Sequence, residues 1–119
     1  MTSRYKSGYA LERDIRSELR KKGYYVIRSA KSETLCDLIA IPLKTHKNKD
    51  ILCIQCKKST VPNRIPYISR KELKDLEELE KRYNVKVILA IRFRLKGRWL
   101  TMLLTIPMYT KLRNTIKIA

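Results

Sequence analysis

The sequence predicts an α/β domain of order αβββαββ, and three observations carry that prediction. A stretch of helical period opens the chain, three short apolar runs bounded by turn residues follow it, and a second charged stretch of helical period precedes a last pair of strand-like runs. The 119 residues fit one domain, 1–119, with length enough for one sheet and two or three helices.

From Tyr9 to Lys22, a 100° step per residue gathers Leu11, Ile15 and Leu19 into one apolar stripe. A helix from about Gly8 to Lys22 should therefore end at Gly23, which suits a left-handed C-terminal cap. Strands follow near Tyr24 to Ser29, Leu35 to Leu43 and Asp50 to Lys57. Thr45 to Lys49 reads as the turn of a hairpin between the last two. Val61 to Ile68 carries Pro62 and Pro66 and reads as an extended loop. Ser69, with Glu72 three residues on, forms a capping box for a helix whose buried stripe is Leu73, Leu76, Leu79 and Tyr83. Val85 to Phe93 and Arg98 to Leu104 make a second hairpin around Lys96-Gly97, and the tail from Pro107 closes with a short helix. With no signal peptide and no apolar run near the ~20 residues of a membrane span, the expectation is a soluble, cytoplasmic protein with no membrane partner.

Four polar residues sit where a packed domain would prefer apolar ones. Glu12 lies inside the first helix's apolar stripe, almost over Leu19. A carboxylate buried there without a partner would cost several kcal/mol, roughly, so it requires a solvated cleft, a cation or a metal. Asp37 opens the apolar run Asp37-Leu38-Ile39-Ala40-Ile41, which reads as a strand covered on both faces. Gln55 and Lys57 close the run that starts at Ile51, and strand period places them side by side on one face.

An acid on the first helix, an Asp at one strand and x-x-Lys at the next resemble the PD-(D/E)xK nucleases. More narrowly, the chain resembles the archaeal Holliday junction resolvases of the Hjc type. The resemblance rests on residues 8–15 (GYALERDI), on Gly23 to Arg28 with Ser32 and Asp37 to Ala40, and on Ile54-Gln55-Cys56-Lys57-Lys58-Ser59. Weaker similarity continues through 67–72 and the strand near Trp99. It implies a restriction-endonuclease-like core, a mixed five-stranded sheet flanked by helices. It also implies a Mg²⁺-dependent endonuclease, with Mn²⁺ able to substitute, that nicks four-way DNA junctions symmetrically as a homodimer. The implied metal ligands are Asp37, the Gln55 oxygen, a backbone carbonyl near Cys56, and Glu12 directly or through water. Lys57 would stabilise charge developing on the phosphate, and Ser32 would reach DNA near the site.

Three positions depart from the family pattern. Gln55 stands where the family has a metal-binding Glu, Cys36 replaces a Pro that shapes backbone, and Leu73 replaces a Gln of the second helix. Hard cations favour carboxylates, so Gln55 implies weaker metal binding. It admits three readings: a variant that still cleaves, a relative that binds junctions without cutting, or a chain altered to trap a complex.

Charge points to nucleic acid independently of the resemblance. There are 28 Lys plus Arg against 11 Asp plus Glu, a net +17. Ser69 to Tyr83 holds five acids and five bases, so the excess lies elsewhere. Candidate phosphate contacts are Arg4, Lys6, Arg13, Arg16, Arg20, Arg28, Lys31, Lys58, Arg64, Arg70 and Lys71. No helix-turn-helix, zinc finger or heptad dimerisation region is recognisable, which leaves junction shape as the source of specificity. A basic RNA-binding protein would also explain +17, but not Glu12. Cys53 and Cys56 form a C-x-x-C whose offset of three directs the thiols to opposite faces of a strand, so reduced core thiols are expected rather than zinc ligands or a redox pair. His46, the only histidine, reads as a solvated turn residue.

Overall fold

The computed structural model describes residues 2–29 and 35–115, with side chains described from Tyr9 onward. The elements are α1 (Thr2–Lys21), β1 (Tyr24–Arg28), β2 (Leu38–Pro42), β3 (Ile51–Lys58), α2 (Arg70–Arg82), β4 (Val85–Leu95), β5 (Arg98–Leu104) and α3 (Ile106–Thr115). The strands form one sheet in chain order, with β3 and β4 parallel and every other neighbouring pair antiparallel. The mixed five-stranded sheet and the αβββαββ order are as expected, with α3 closing the tail. None of the described helices is long and apolar enough to cross a membrane.

Strand alternation divides the core between two faces. Leu11, Ile15 and Leu19 of α1 pack on Val26, Leu38, Ala40, Leu52, Ile54 and Ala90. On the other face, Leu76 of α2 and Ile106 and Tyr109 of α3 cover Cys53, Val87, Leu89, Ile91 and Phe93. Gln55 and Lys57 share the parity of Cys53 and therefore look toward α2, whereas Cys56 looks toward α1.

Several boundaries move for identifiable reasons. The first helix starts at Thr2 and takes Gly8 into its interior. β2 begins at Leu38 because the backbone bends across 35–37. Tyr83 is 60% exposed and does not extend the α2 stripe, since it is the C-cap, with φ −128° and ψ 157°, and has left helical geometry. Gly23 takes φ +91° beyond α1, as a left-handed cap requires. His46 is not a free turn residue: it meets the Lys22 carbonyl through Nε2 at 2.9 Å, accepts from the Asn48 N–H at Nδ1 and lies against Tyr24. The β2–β3 turn is thereby fastened to the end of α1.

Cysteine pairing is a second correction. Cys56 is a free thiol directed away from Cys53, but Cys53 is joined to Cys36, with Cα atoms 5.3 Å apart. The bend before β2 brings Cys36 over the α2 face beside Cys53, a meeting that a separation of 17 residues does not reveal.

Tyr109 organises the approach to α2. It is fully buried, its Oη donates to the Pro66 carbonyl at 2.7 Å, and it accepts from the Ile68 N–H at 2.9 Å. Burial raises its pKa more than the Ile68 N–H and Arg113 lower it, which keeps the phenol proton available for Pro66. Arg113 adds a bond to the Ile68 carbonyl. The loop is thus fixed one residue before Ser69, whose Oγ caps α2 by accepting from the Glu72 N–H. Tyr109→Phe leaves a buried N–H and a buried carbonyl without this partner. Urea unfolding should register a loss of about 1–3 kcal/mol with little change in slope.

Candidate active site

Asp37 stands at the bend ahead of β2, and two hydrogen bonds join it to β3. Its backbone N–H donates to the Ile54 carbonyl at 2.8 Å, and its Oδ2 accepts from the Cys56 N–H at 2.7 Å. Its carbonyl accepts from the Ser29 N–H, so the end of β1 is tied to the same point. The disulfide beside it fixes Cys36 to the same strand, β3. Asp37 therefore sits on rigid backbone at the end of the sheet.

On the α2 face, Gln55 and Lys57 converge on one carboxylate that the local sequence pattern marks only as part of a helix cap. Glu72 Oε2 accepts from Gln55 Nε2 at 2.9 Å and lies 3.1 Å from Lys57 Nζ. Only half of the expected capping box forms: Ser69 caps the Glu72 N–H, but the Glu72 carboxylate turns to the sheet. A sequence signal for this existed. Glu72 precedes Leu76 by four residues and Leu79 by seven, so it lies on the apolar stripe of α2 as Glu12 lies on that of α1.

Glu12 occupies the other face. Its Oε1 accepts from Arg28 Nε at 2.8 Å, and the Arg28 guanidinium lies 5.3 Å from the Tyr9 ring centre. Glu12 bears on Asp37 through charge. The result is a crowded carboxyl group: burial raises the Asp37 pKa, the Cys56 N–H opposes this, Glu12 raises it further, Lys57 lowers it and Glu72 raises it again. Burial and the nearby acids also push the Cys56 thiol well up, which keeps it protonated and inert.

Among the described residues, no three His, Cys, Asp or Glu side chains converge closely enough to hold a metal ion by themselves. The donors nevertheless fit a hard cation of the Mg²⁺ type. Such an ion commonly keeps several waters and takes only one or two carboxylates plus substrate phosphate, and Asp37 offers an oxygen beyond the one bonded to Cys56. Burial first, and then the charges of Glu12 and Glu72, disfavour ionised Asp37, and a bound cation would offset both.

The basic residues are spread over several surfaces. Arg13 is exposed and lies 3.7 Å from Asp14, and Arg16 and Arg20 follow it on α1. Arg28 is engaged by Glu12, Lys58 lies over the Trp99 ring at 4.6 Å, and Lys71 pairs with Asp75. Arg64 is exposed in the loop before α2, and Arg70 lines a cleft with Tyr67, Lys74 and Arg113 that shares no residue with the Asp37 cluster. Ser32 and Lys31 lie outside the described residues, as do the side chains of Arg4 and Lys6.

A leading helix, an antiparallel β1–β2–β3 meander, a parallel β3–β4 pair, and an Asp bound to a strand that carries x-x-Lys together make the mixed-sheet core that the resemblance in the sequence implies. Residues 3–118 match the family model described as archaeal Holliday junction resolvase (hjc), and the chain belongs to that family. It is 32% identical over 93 residues to the crossover junction endodeoxyribonuclease Hjc of Methanocaldococcus jannaschii, a match covering 78% of this chain and 64% of that protein. The matched region thus spans slightly under two thirds of that relative. The fold is similar to that of Archaeoglobus fulgidus Hjc, a Holliday junction resolvase, with a TM-score of 0.61 and 22% identity over 85% of this chain and 74% of that one.

The Asp37 environment has a measurable consequence for stability. Because the folded pKa lies above the ordinary 3.8, the folded state binds the proton more tightly than the unfolded state does. Stability from this group is therefore lost as pH rises from 3.8 through the folded value. Without added metal, Asp37→Asn should melt higher than wild type at neutral pH. The difference should close as pH falls toward 3.8, and thermal melts across pH check it.

Proposed function

We propose that the protein is a metal-dependent endodeoxyribonuclease that nicks four-way DNA junctions. The observation that carries this reading is the Asp37–Cys56 bond, which sets a charge-crowded carboxylate beside the strand bearing Gln55 and Lys57. Family membership and the net +17 support a DNA substrate.

Asp37 and the Gln55 oxygen would hold Mg²⁺, or Mn²⁺ in its place, with water and the scissile phosphate completing its shell. The bound ion would polarise the phosphate and lower the pKa of a water. In the hydrolysis, a water oxygen bonds to phosphorus, the bond to one sugar oxygen breaks, the water gives up a proton and the departing oxygen takes one. The Lys57 ammonium would stabilise charge on the phosphate oxygens, held for that role by Glu72. Glu12, engaged by Arg28, would act on Asp37 through its field and fix Arg28 at the same end of the sheet. Arg13, Arg16 and Arg64 would contact phosphates.

A four-way junction has two-fold symmetry, and paired nicks require two sites at a fixed separation, so the active form is a homodimer on this reading. Neutral Gln55 favours one alternative, a junction-binding protein that does not cut.

A labelled four-way junction and an equal-length duplex, each with Mg²⁺, Mn²⁺ or chelator, separate these readings. Wild type should give two symmetric nicks on the junction with either metal, few on the duplex and none with chelator. Asp37→Asn should give no products at junction affinity equal to or tighter than wild type. Junction binding without products under every condition would select the non-cutting reading, and equal affinity for junction and duplex would remove the junction assignment.

A further inference from the structure

A carboxamide is a poor substitute for a carboxylate at a hard-cation site because it brings no charge and its two ends differ. One end can ligate a cation through oxygen, and the other, an NH₂, repels it. A glutamine works there only if something fixes which end faces the ion. Glu72 does this for Gln55. A carboxylate oxygen can only accept, so the 2.9 Å contact with Oε2 requires the Gln55 NH₂ to face Glu72. Trigonal geometry then turns Oε1 away from Glu72.

The same bond changes the carboxamide electronically. A hydrogen bond from amide nitrogen to an anion draws the nitrogen lone pair into the carbonyl and leaves more negative charge on the oxygen. A carboxylate bonded to the far nitrogen of a metal-binding histidine raises that ligand's basicity in the same manner. Glu72 is well placed to do this: its backbone N–H is capped by Ser69, whose loop is fixed by Tyr109, and Lys57 shares its Oε2 at 3.1 Å.

We infer that Glu72 is a positioning residue that acts through Gln55, so that a Glu72–Gln55 pair, one residue on α2 and one on β3, does the work of a single strand carboxylate. This rests on the metal-dependent reading above and resolves the difficulty that Gln55 poses for it. On this inference Glu72 acts through Gln55 rather than as a ligand, since its Oε2 is engaged by Gln55 and Lys57.

The test is a double-mutant cycle on metal binding without DNA. Mn²⁺ is titrated into wild type, Glu72→Gln, Gln55→Ala and Gln55→Ala/Glu72→Gln, with free Mn²⁺ read by electron paramagnetic resonance and each fold verified by circular dichroism. Glu72→Gln should weaken Mn²⁺ binding by about tenfold to a hundredfold in wild type, the loss expected when a group supporting a ligand is removed. In the Gln55→Ala background the same change should cost at most about threefold, because the group it acts through is gone. Equal losses in both backgrounds would make Glu72 a remote charge and overturn the inference, as would an unchanged affinity for Glu72→Gln. Wild type that takes up no Mn²⁺ alone, and none beyond that of the DNA itself when a four-way junction is bound, would remove the metal-dependent reading and this inference with it.

Discussion

The hydrogen bond from the Cys56 N–H to Asp37 Oδ2 governs the end of the sheet where the candidate site lies. It holds a half-buried carboxylate across the β2–β3 junction, and the Asp37–Ile54 backbone bond and the Cys36–Cys53 disulfide leave that carboxylate little freedom. Opposing forces meet there. Burial and the fields of Glu12 and Glu72 disfavour its charge, while the Cys56 N–H and Lys57 favour it. The Cys56 N–H and Lys57 therefore offset only part of what disfavours the charge, and a bound cation would relieve the rest.

Support for the site comes from both sides of the sheet and from far along the chain. α1 supplies Glu12 and, through it, holds Arg28 at the end of β1. On the opposite face, Tyr109 of α3 fixes the loop at Pro66 and Ile68, the loop delivers Ser69 to cap α2, and α2 delivers Glu72 to Gln55 and Lys57. This second chain of contacts joins residues more than 50 positions apart in sequence and makes the position of one carboxylate depend on a buried phenol.

Much of this was legible in the sequence because period and parity carry it. The apolar stripe of α1, the strand runs, the Lys96-Gly97 hairpin and the shared face of Gln55 and Lys57 follow from local pattern. Glu12 and Asp37 stood out because charge interrupted apolar pattern. Glu72 interrupted one in the same way, but the local capping box offered a sufficient explanation and concealed its tertiary role. The Cys36–Cys53 bond and the clasp of His46 on the end of α1 depend on how distant segments meet, which periodicity does not encode. Tyr83 leaves the α2 stripe for a local reason, since the helix stops one residue before it.

The most direct measurement is the titration of Asp37 itself, by carbon NMR of the labelled side-chain carboxyl, with and without Mg²⁺. This account predicts a midpoint above the ordinary 3.8 in metal-free protein that moves down when Mg²⁺ is added. A midpoint at or below 3.8 that Mg²⁺ does not move would contradict it, because Asp37 would then be neither disfavoured by burial and its acidic neighbours nor a cation ligand.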